Sequence, residues 1–511
     1  MNIPSIFSRH TQSLLAIAVA LALSGCGGSG GSDTAQSNAA PDSESTTVVA
    51  DGDAAPKPDP QDLGSIEQPD EGADETAPEL PAISDPGETD TAIIDLGELV
   101  QTRSQAAADN HGAARVGVAR ASAITASAAQ LNQRLRWKSA SNGSRIATIQ
   151  FQSNGAFEMR IGLLVDDMPA GALLRTYPSA SRAEAMQTSG SRIKEIIALN
   201  QEAGDVSNEA RTWWTPSISG DAVTLEIELP SGTSPDQLKV SVPEIIHVYE
   251  NPASGYTRVN ASGALSTRSV GESASCHLDS SCYPDYATTR NSVVLINYYD
   301  GGYYYQCTAT LLNNARLDRT PYVATASHCI SRQTAASTME SSWFFTSTGC
   351  NAKTYKTRTR TAGGAKLLYS TSSRDFTLVQ LNDTPPVGAT FAGWSAAAMA
   401  ANMPVVGVHH PMGDLQKISF GKITGTTECY ALSGSIYCGT SATPSGNMYR
   451  IAWDQGATEW GSSGSPLFYN NRFIGALSGG SSSCHGGGED IYTRFDLVYP
   501  AIKAWLAPSN S

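Results

Sequence analysis

Apolar and polar residues alternate over 134–138, 145–151, 157–165 and 222–229, a two-residue period that predicts strands with one buried face. Between them, Ile193, Ile196, Ile197 and Asn200 recur at helical spacing after Ser191. One helix among alternating strands predicts a small α+β domain or a β-sandwich with a helix. Further on, Tyr322-Val323-Ala324 and the run after Phe376 predict buried strands, and a helix is expected near 501–506. The apolar run 14–23 differs in kind. It follows Arg9 and His10 and is too short to span a bilayer, which predicts a secretory signal over 1–25.

Charge divides the 511 residues unevenly. The chain has 34 Lys and Arg against 48 Asp and Glu, net −14. Residues 27–100 hold eighteen of the acids and one base, Lys57, so the remainder is close to neutral. No basic stripe points to nucleic acid. The acidic stretch is rich in Pro, Ser, Thr, Ala and Gly and almost free of aromatics. Such a composition buries too little apolar surface to offset chain entropy, so 26–103 is expected to be a disordered acidic tether.

Cysteine usage marks another change. Apart from Cys26, the eight cysteines are Cys276, Cys282, Cys307, Cys329, Cys350, Cys429, Cys438 and Cys484, and 104–269 has none. An even set without a CxxC pair in an exported chain reads as disulfides, and eight cysteines allow about 105 pairings. Domains are therefore expected at 104–268 and 269–511. The first shows no metal-ligand cluster, phosphate loop or nucleophile motif, and His247 within Ile245-Ile246-His247-Val248 reads as structural.

Chemistry concentrates in the second. Thr325-Ala326-Ser327-His328-Cys329, Ser373-Arg374-Asp375-Phe376 and Gly461-Ser462-Ser463-Gly464-Ser465-Pro466 occur in the order His, Asp, Ser, 47 and 88 residues apart. A serine hydroxyl becomes a nucleophile when an imidazole takes its proton. That imidazole needs a carboxylate to fix its tautomer and stabilise its cation. The residues assign Ser463 as nucleophile, His328 as base then acid, and Asp375 as the orienting carboxylate. Ser462 is the nearest rival nucleophile. The amides of Gly461 and Ser463 are placed to form an oxyanion hole, where one donor is worth about 3 kcal/mol.

On these motifs the chain resembles the chymotrypsin/trypsin superfamily of serine endopeptidases, and within it the bacterial lysyl endopeptidases. The likeness covers about 270–507. It includes Ser275-Cys276 and Cys282, Trp394 after Ala392-Gly393, His409-His410-Pro411 and Thr458-Glu459. It implies an all-β catalytic domain of two six-stranded antiparallel β-barrels with a C-terminal helix. The implied bridges are Cys276–Cys484, Cys282–Cys350 and Cys307–Cys329, leaving Cys429–Cys438. No cofactor is implied, and His409 and His410 read as structural rather than as metal ligands.

The resemblance also bears on specificity. Trypsins carry a pocket Asp six residues before the serine, where this chain has Ala457. Lysyl endopeptidases carry D-x-Y-x-R after the last cysteine, here Asp490-Ile491-Tyr492-Thr493-Arg494, implying a carboxylate that selects Lys or Arg. The rival reading pairs Asp490 with Arg494 or solvent, so that it selects nothing. Ser478, Gly479 and Gly480 are expected to pair with substrate backbone. Lysyl endopeptidases have His at the place of Ser478, and their pocket tryptophan has no counterpart within 430–449.

Trypsin activation uses an Asp beside the serine to bind a freed N-terminus, and Ser462 stands there instead. Arg268 is a candidate processing site, which would make 104–268 a pro-domain; the alternative is a permanent accessory domain on an anchored protease. Leu23-Ser24-Gly25-Cys26 resembles a lipobox, so Cys26 is expected to be acylated and to anchor the chain in a bilayer, each buried methylene adding about 0.8 kcal/mol. Gly27 after it favours the outer membrane or cell surface, and cleavage after Arg268 would release the protease domain. The expected activity is secreted peptide-bond hydrolysis, with polypeptides as substrates. The alternative is a catalytically silent surface adhesin with a protease-like fold.

Overall fold

The computed structural model describes residues 61–69, 91–99, 113–249 and 273–508, except 353, 356, 357, 433, 434, 440, 441 and 444; between 249 and 273 it also describes the backbone of one hairpin, Tyr256–Val259 with Leu265–Arg268. Cys26, residues 1–25 expected as a signal, and Ser269 lie outside the described residues. Among those described, no helix is long and apolar enough to cross a membrane.

The half-buried alternation of 145–229 becomes two stacked sheets. One is ordered Ala92–Glu98, Arg145–Asn154, Ala222–Leu229, Leu173–Pro178, Met186–Ser189. The other carries Thr212–Trp214, Glu158–Asp167, Lys239–Val248 and Ala114–Ala121. Ile149, Phe151, Ile161, Leu163, Leu225 and Ile245 interdigitate between them, with Ile193, Ile196 and Ile197 from the helix Gly190–Glu202. This is a sandwich with a helix. His247 is buried against the Ser153 hydroxyl at 2.7 Å, and burial holds it down at about 4, a neutral structural imidazole.

Two expectations are corrected here. The stretch 134–138 is not a strand; only Lys138–Ser139 pairs. Before it runs the short helix Ala128–Asn132, started by the capping box in which Ser127 and Gln130 satisfy each other's backbone amides. Nor is the acidic segment wholly a disordered tether. Asp62–Leu63 pairs with Trp394–Ser395, Ile66–Glu67 with Thr390–Phe391, and Ala92–Glu98 runs parallel to Arg145–Asn154. Averaged acidity hides short apolar runs: Ile94 is buried in the sandwich, and Ile66 and Leu63 pack on the C-terminal region.

The C-terminal region is built from two β-units. Its second half is a closed six-stranded antiparallel barrel, ordered Pro404–His409, Lys417–Thr427, Met448–Gln455, Asp490–Thr493, Arg472–Gly480, Pro466–Tyr469 and back to the first strand. The first half uses seven strands, from Thr359–Thr361 through Glu340–Trp343, Val293–Asp300, Tyr303–Leu312, Tyr322–Thr325 and Phe376–Leu381 to Ala365–Thr371, whose two ends do not pair. Trp394, Phe376, Phe473 and Phe495 fill the seam between the halves. The closing helix, Phe495–Leu506, starts six residues earlier than expected, because Phe495, Val498, Tyr499 and Ile502 form its apolar stripe.

The two regions share a sheet. Ala114–Ala121 adds to Tyr303–Leu312, pairing with its residues 303–306. Beside this join, Arg160 of the sandwich is fully buried, 3.7 Å from Glu340, and donates to the carbonyls of Thr215 at 2.6 Å and Thr338 at 2.8 Å. Glu340 accepts from Tyr304 and Ser217, and Glu158 pairs with Arg358 and Arg360. A buried ionic cluster of this kind is costly to break on either side.

Candidate active site

The strand Tyr322–Thr325 leads into a turn that presents His328, and the disulfide Cys307–Cys329 ties the far end of that turn to Tyr303–Leu312. Asp375 lies in the turn before Phe376–Leu381, the neighbour of the first strand, at φ +46°, a left-handed conformation that Asp tolerates. Its carboxylate is fully buried. Oδ2 is 2.7 Å from His328 Nδ1 and accepts from the Ser478 hydroxyl at 2.7 Å; Oδ1 accepts from the His328 amide at 2.9 Å and the Ser327 hydroxyl at 3.0 Å. Burial pushes this carboxyl up, but the imidazole and the donated bonds outweigh it, leaving it below the ordinary Asp range. Because Asp375 holds Nδ1, Nε2 is the face left for proton transfer; it is buried, without a hydrogen bond among the described residues.

The serine loop is fixed against the same elements. Thr308, next to Cys307, donates its amide to the Ser463 carbonyl at 2.8 Å and its hydroxyl to the Gly461 carbonyl at 2.9 Å. Gly464 donates to Leu477, and Leu477 to Ser465, both at 2.8 Å, so the strand that carries Ser478 to Asp375 also grips this loop. Gly464 has φ +77°, and a Cβ there would lie 2.1 Å from Thr325 Oγ1 and 2.9 Å from the Ala326 amide. Only glycine lets the serine loop approach the histidine turn so closely. The structure therefore joins His328 directly to Asp375 and holds the backbone of the Ser463 loop against the strand and turn that carry the histidine.

Asp490 sits behind that loop, fully buried at the start of Asp490–Thr493. Its Oδ2 accepts from Trp453 Nε1 at 2.6 Å, Thr458 Oγ1 at 2.8 Å and Ser482 Oγ at 2.7 Å, and Oδ1 from the Ser482 amide at 3.2 Å. The rival pairing with Arg494 does not occur: Arg494 bonds Asp496 at 2.6 Å. Burial raises the Asp490 carboxyl above the ordinary Asp range, and the donors only partly offset it. A Cβ on Gly480 would meet Asp490 Oδ1 at 2.2 Å, which explains the glycine on this wall. Gly479 and Gly480 pair on one edge with Ile491 and Asp490, and Ser478 sits in the bulge before them. Ser478, expected only on the substrate edge, spends its hydroxyl on Asp375.

Sequence reasoning missed Trp453, which lies just past the 430–449 window; the signal was the shared strand register that sets Ile451 opposite Asp490. The four cysteine pairs are Cys276–Cys484, Cys282–Cys350, Cys307–Cys329 and Cys429–Cys438, as the resemblance implied. Cys307, His328 and Cys329 cluster within 4.8 Å, but both sulfurs are bound to each other, so the group offers no thiolate to a metal. Neither His409 nor His410 belongs to a metal-binding group among the described residues.

Residues 270–493 match the family model of the lysyl endopeptidase C-terminal domain, and 92–249 that of the lysyl endopeptidase N-terminal domain. The chain is similar to a lysyl endopeptidase of Pseudomonas aeruginosa, 29% identical over 394 residues, which are 73% of this chain and 78% of that protein. Among solved structures it is similar to the MamO protease domain of Magnetospirillum magneticum, at 13% identity and TM-score 0.30 over 42% of this chain and 98% of that one. It is also similar to a protease of M. tuberculosis, at 18% identity and TM-score 0.28 over 45% and 86%.

Proposed function

Because the chain belongs to the lysyl endopeptidase family of the chymotrypsin/trypsin superfamily, we propose that it hydrolyses peptide bonds after Lys or Arg through His328, Asp375 and Ser463. The observation that carries this reading is the Asp375 carboxylate, buried and divided between the imidazole and the amide of His328. Asp375 holds the proton on Nδ1, so Nε2 accepts the Ser463 proton as the oxygen attacks the carbonyl carbon. The amides of Gly461 and Ser463 take the developing oxyanion. His328 then returns the proton to the leaving amine, and water releases the acyl group by the same route in reverse. Asp490 receives the cationic side chain. A substrate strand lies along 478–480, whose edge opposite Asp490–Thr493 has no strand beside it among the described residues.

A fluorophosphonate probe tests the nucleophile. Wild-type protein is expected to be labelled and to cleave lysyl or arginyl esters, while Ser463→Ala loses both. Undiminished labelling of the variant, or an inert processed wild type, defeats the reading.

Maturation belongs to the same reading. The chain is exported, acylated on Cys26 and cut after Arg268, freeing the protease region from a pro-domain. Ser462, in place of the activating Asp of trypsins, supports a route that does not depend on an N-terminal ion pair. Mass spectrometry of mature protein is expected to find an N-terminus at Ser269, and diacylglycerol on the Cys26 of the released remainder. A persistent acylated full-length species overturns the removal, and an unmodified Cys26 the anchor.

A further inference from the structure

The HHP segment takes no part in the proposed reaction, yet it touches the serine loop at its most sensitive point. His409 ends the strand Pro404–His409 and is fully buried. Its Nδ1 is 2.8 Å from the hydroxyl of Ser462, the residue before the nucleophile, and its Nε2 is 3.1 Å from the Ser419 hydroxyl.

The proton positions follow from the partners. Ser419 Oγ lies 3.0 Å from the Ala457 carbonyl, which only accepts, so the single Ser419 proton points there. Ser419 must then accept from His409, which puts the imidazole proton on Nε2 and leaves Nδ1 bare. Ser462 therefore donates to Nδ1, and its oxygen accepts the Glu459 amide at 3.3 Å. Every polar atom of the latch has a partner when the imidazole is neutral. Burial first, then the neighbouring His277, His410 and Lys417, hold His409 well below the ordinary histidine range.

The surroundings extend the latch. His410 donates Nδ1–H to the Asp414 carbonyl at 3.0 Å, and its amide bonds Thr308 Oγ1, which in turn holds the Gly461 carbonyl. Met412 donates to the Trp460 carbonyl at 2.5 Å. The 409–414 segment thus braces both ends of Trp460–Ser463.

We propose that His409, as its Nε2–H tautomer, is a positioning residue that fixes the serine loop through Ser462, so that Ser463 and the Gly461 amide are set by an uncharged latch inside the fold. This rests on the protease reading above. It also gives the conformation that trypsins obtain from a charged N-terminus a source that chain cleavage does not alter.

The test compares purified, processed variants on a lysyl ester, with active sites counted by fluorophosphonate. His409→Asn keeps a carbonyl oxygen near the Nδ1 position, whereas His409→Gln keeps a group only near Nε2. One net hydrogen bond corresponds to about a tenfold factor, more when a buried partner is orphaned. Ser462→Ala and His409→Gln are expected to lower kcat about 10- to 100-fold with KM within about twofold. Their double variant should fall no further than the worse single one, and His409→Asn should retain most of the rate. If His409→Gln does not fold, Ser462→Ala against Ser462→Thr decides, since only threonine keeps the donor. Multiplicative losses, kcat within threefold in Ser462→Ala, or equal losses in Thr and Ala overturn the proposal. An active wild type with insensitive variants sinks the latch alone; an inert wild type sinks the protease reading with it.

Discussion

Asp375→Asn is expected to lower kcat by about four orders of magnitude while leaving the fold intact. The direction of the amide is dictated by its partners. Oδ1 accepts the backbone N–H of His328, which cannot turn away, so the asparagine must keep its oxygen there. Its NH2 then falls at the Oδ2 position, 2.7 Å from His328 Nδ1. A donor facing Nδ1 forces the imidazole proton to Nε2, the atom that must accept from Ser463. The Ser478 hydroxyl can rotate to accept, so the hydrogen bonds survive the loss of the charge. The folded carboxyl of Asp375 is depressed, so its ionisation contributes stability above the unfolded-state pKa, and that contribution is lost as pH falls through the folded value. Steady-state kinetics beside thermal melting checks this. A kcat within tenfold of wild type, with melting unchanged, would remove Asp375 from the mechanism.

How much of this was legible depended on whether the signal was local. The candidate residues His328, Asp375 and Ser463 stood out because each sits in a short segment with its own chemistry, and the family likeness supplied the disulfide pairing. The sandwich strands 222–229 and 145–154 were legible because one face of each is buried, and burial writes a two-residue period. The short edge strands at 62–67 were not. They bury single residues such as Ile66 against a partner more than 300 residues away, which no local period records. The bond of Ser478 to Asp375 was missed for a similar reason: its position in a glycine-rich edge is local, whereas that bond spans 103 residues. The tautomer of His409 lay further out of reach, since it depends on where the Ser419 proton goes.

Asp490→Asn is expected to abolish the preference for a cationic residue at the cleaved bond. In the free protein this carboxylate is surrounded by four neutral donors, from Trp453, Thr458 and Ser482, and among the described residues it has no ion pair. Donors stabilise a buried charge but leave its field unopposed, so an entering ammonium or guanidinium gains an attraction that a neutral side chain lacks. Removing one member of such a pair costs about 2–5 kcal/mol, or roughly one and a half to three and a half orders of magnitude in kcat/KM. The ratio of kcat/KM for a lysyl substrate over its norleucyl isostere isolates that term, because both substrates use the same triad. The ratio should collapse toward one in Asp490→Asn. In the wild type it should also fall on acidification. Only the ionised carboxylate attracts the cation, and burial raises the folded pKa, so the fall begins at a higher pH than an exposed Asp would give. The stability sign is opposite to that of Asp375. A raised carboxyl contributes stability below its unfolded pKa and loses it as pH rises through the folded one, above which stands a buried charge that a bound cation relieves. A ratio indifferent to pH in the wild type, or preserved in the variant, would place the specificity elsewhere on the pocket wall.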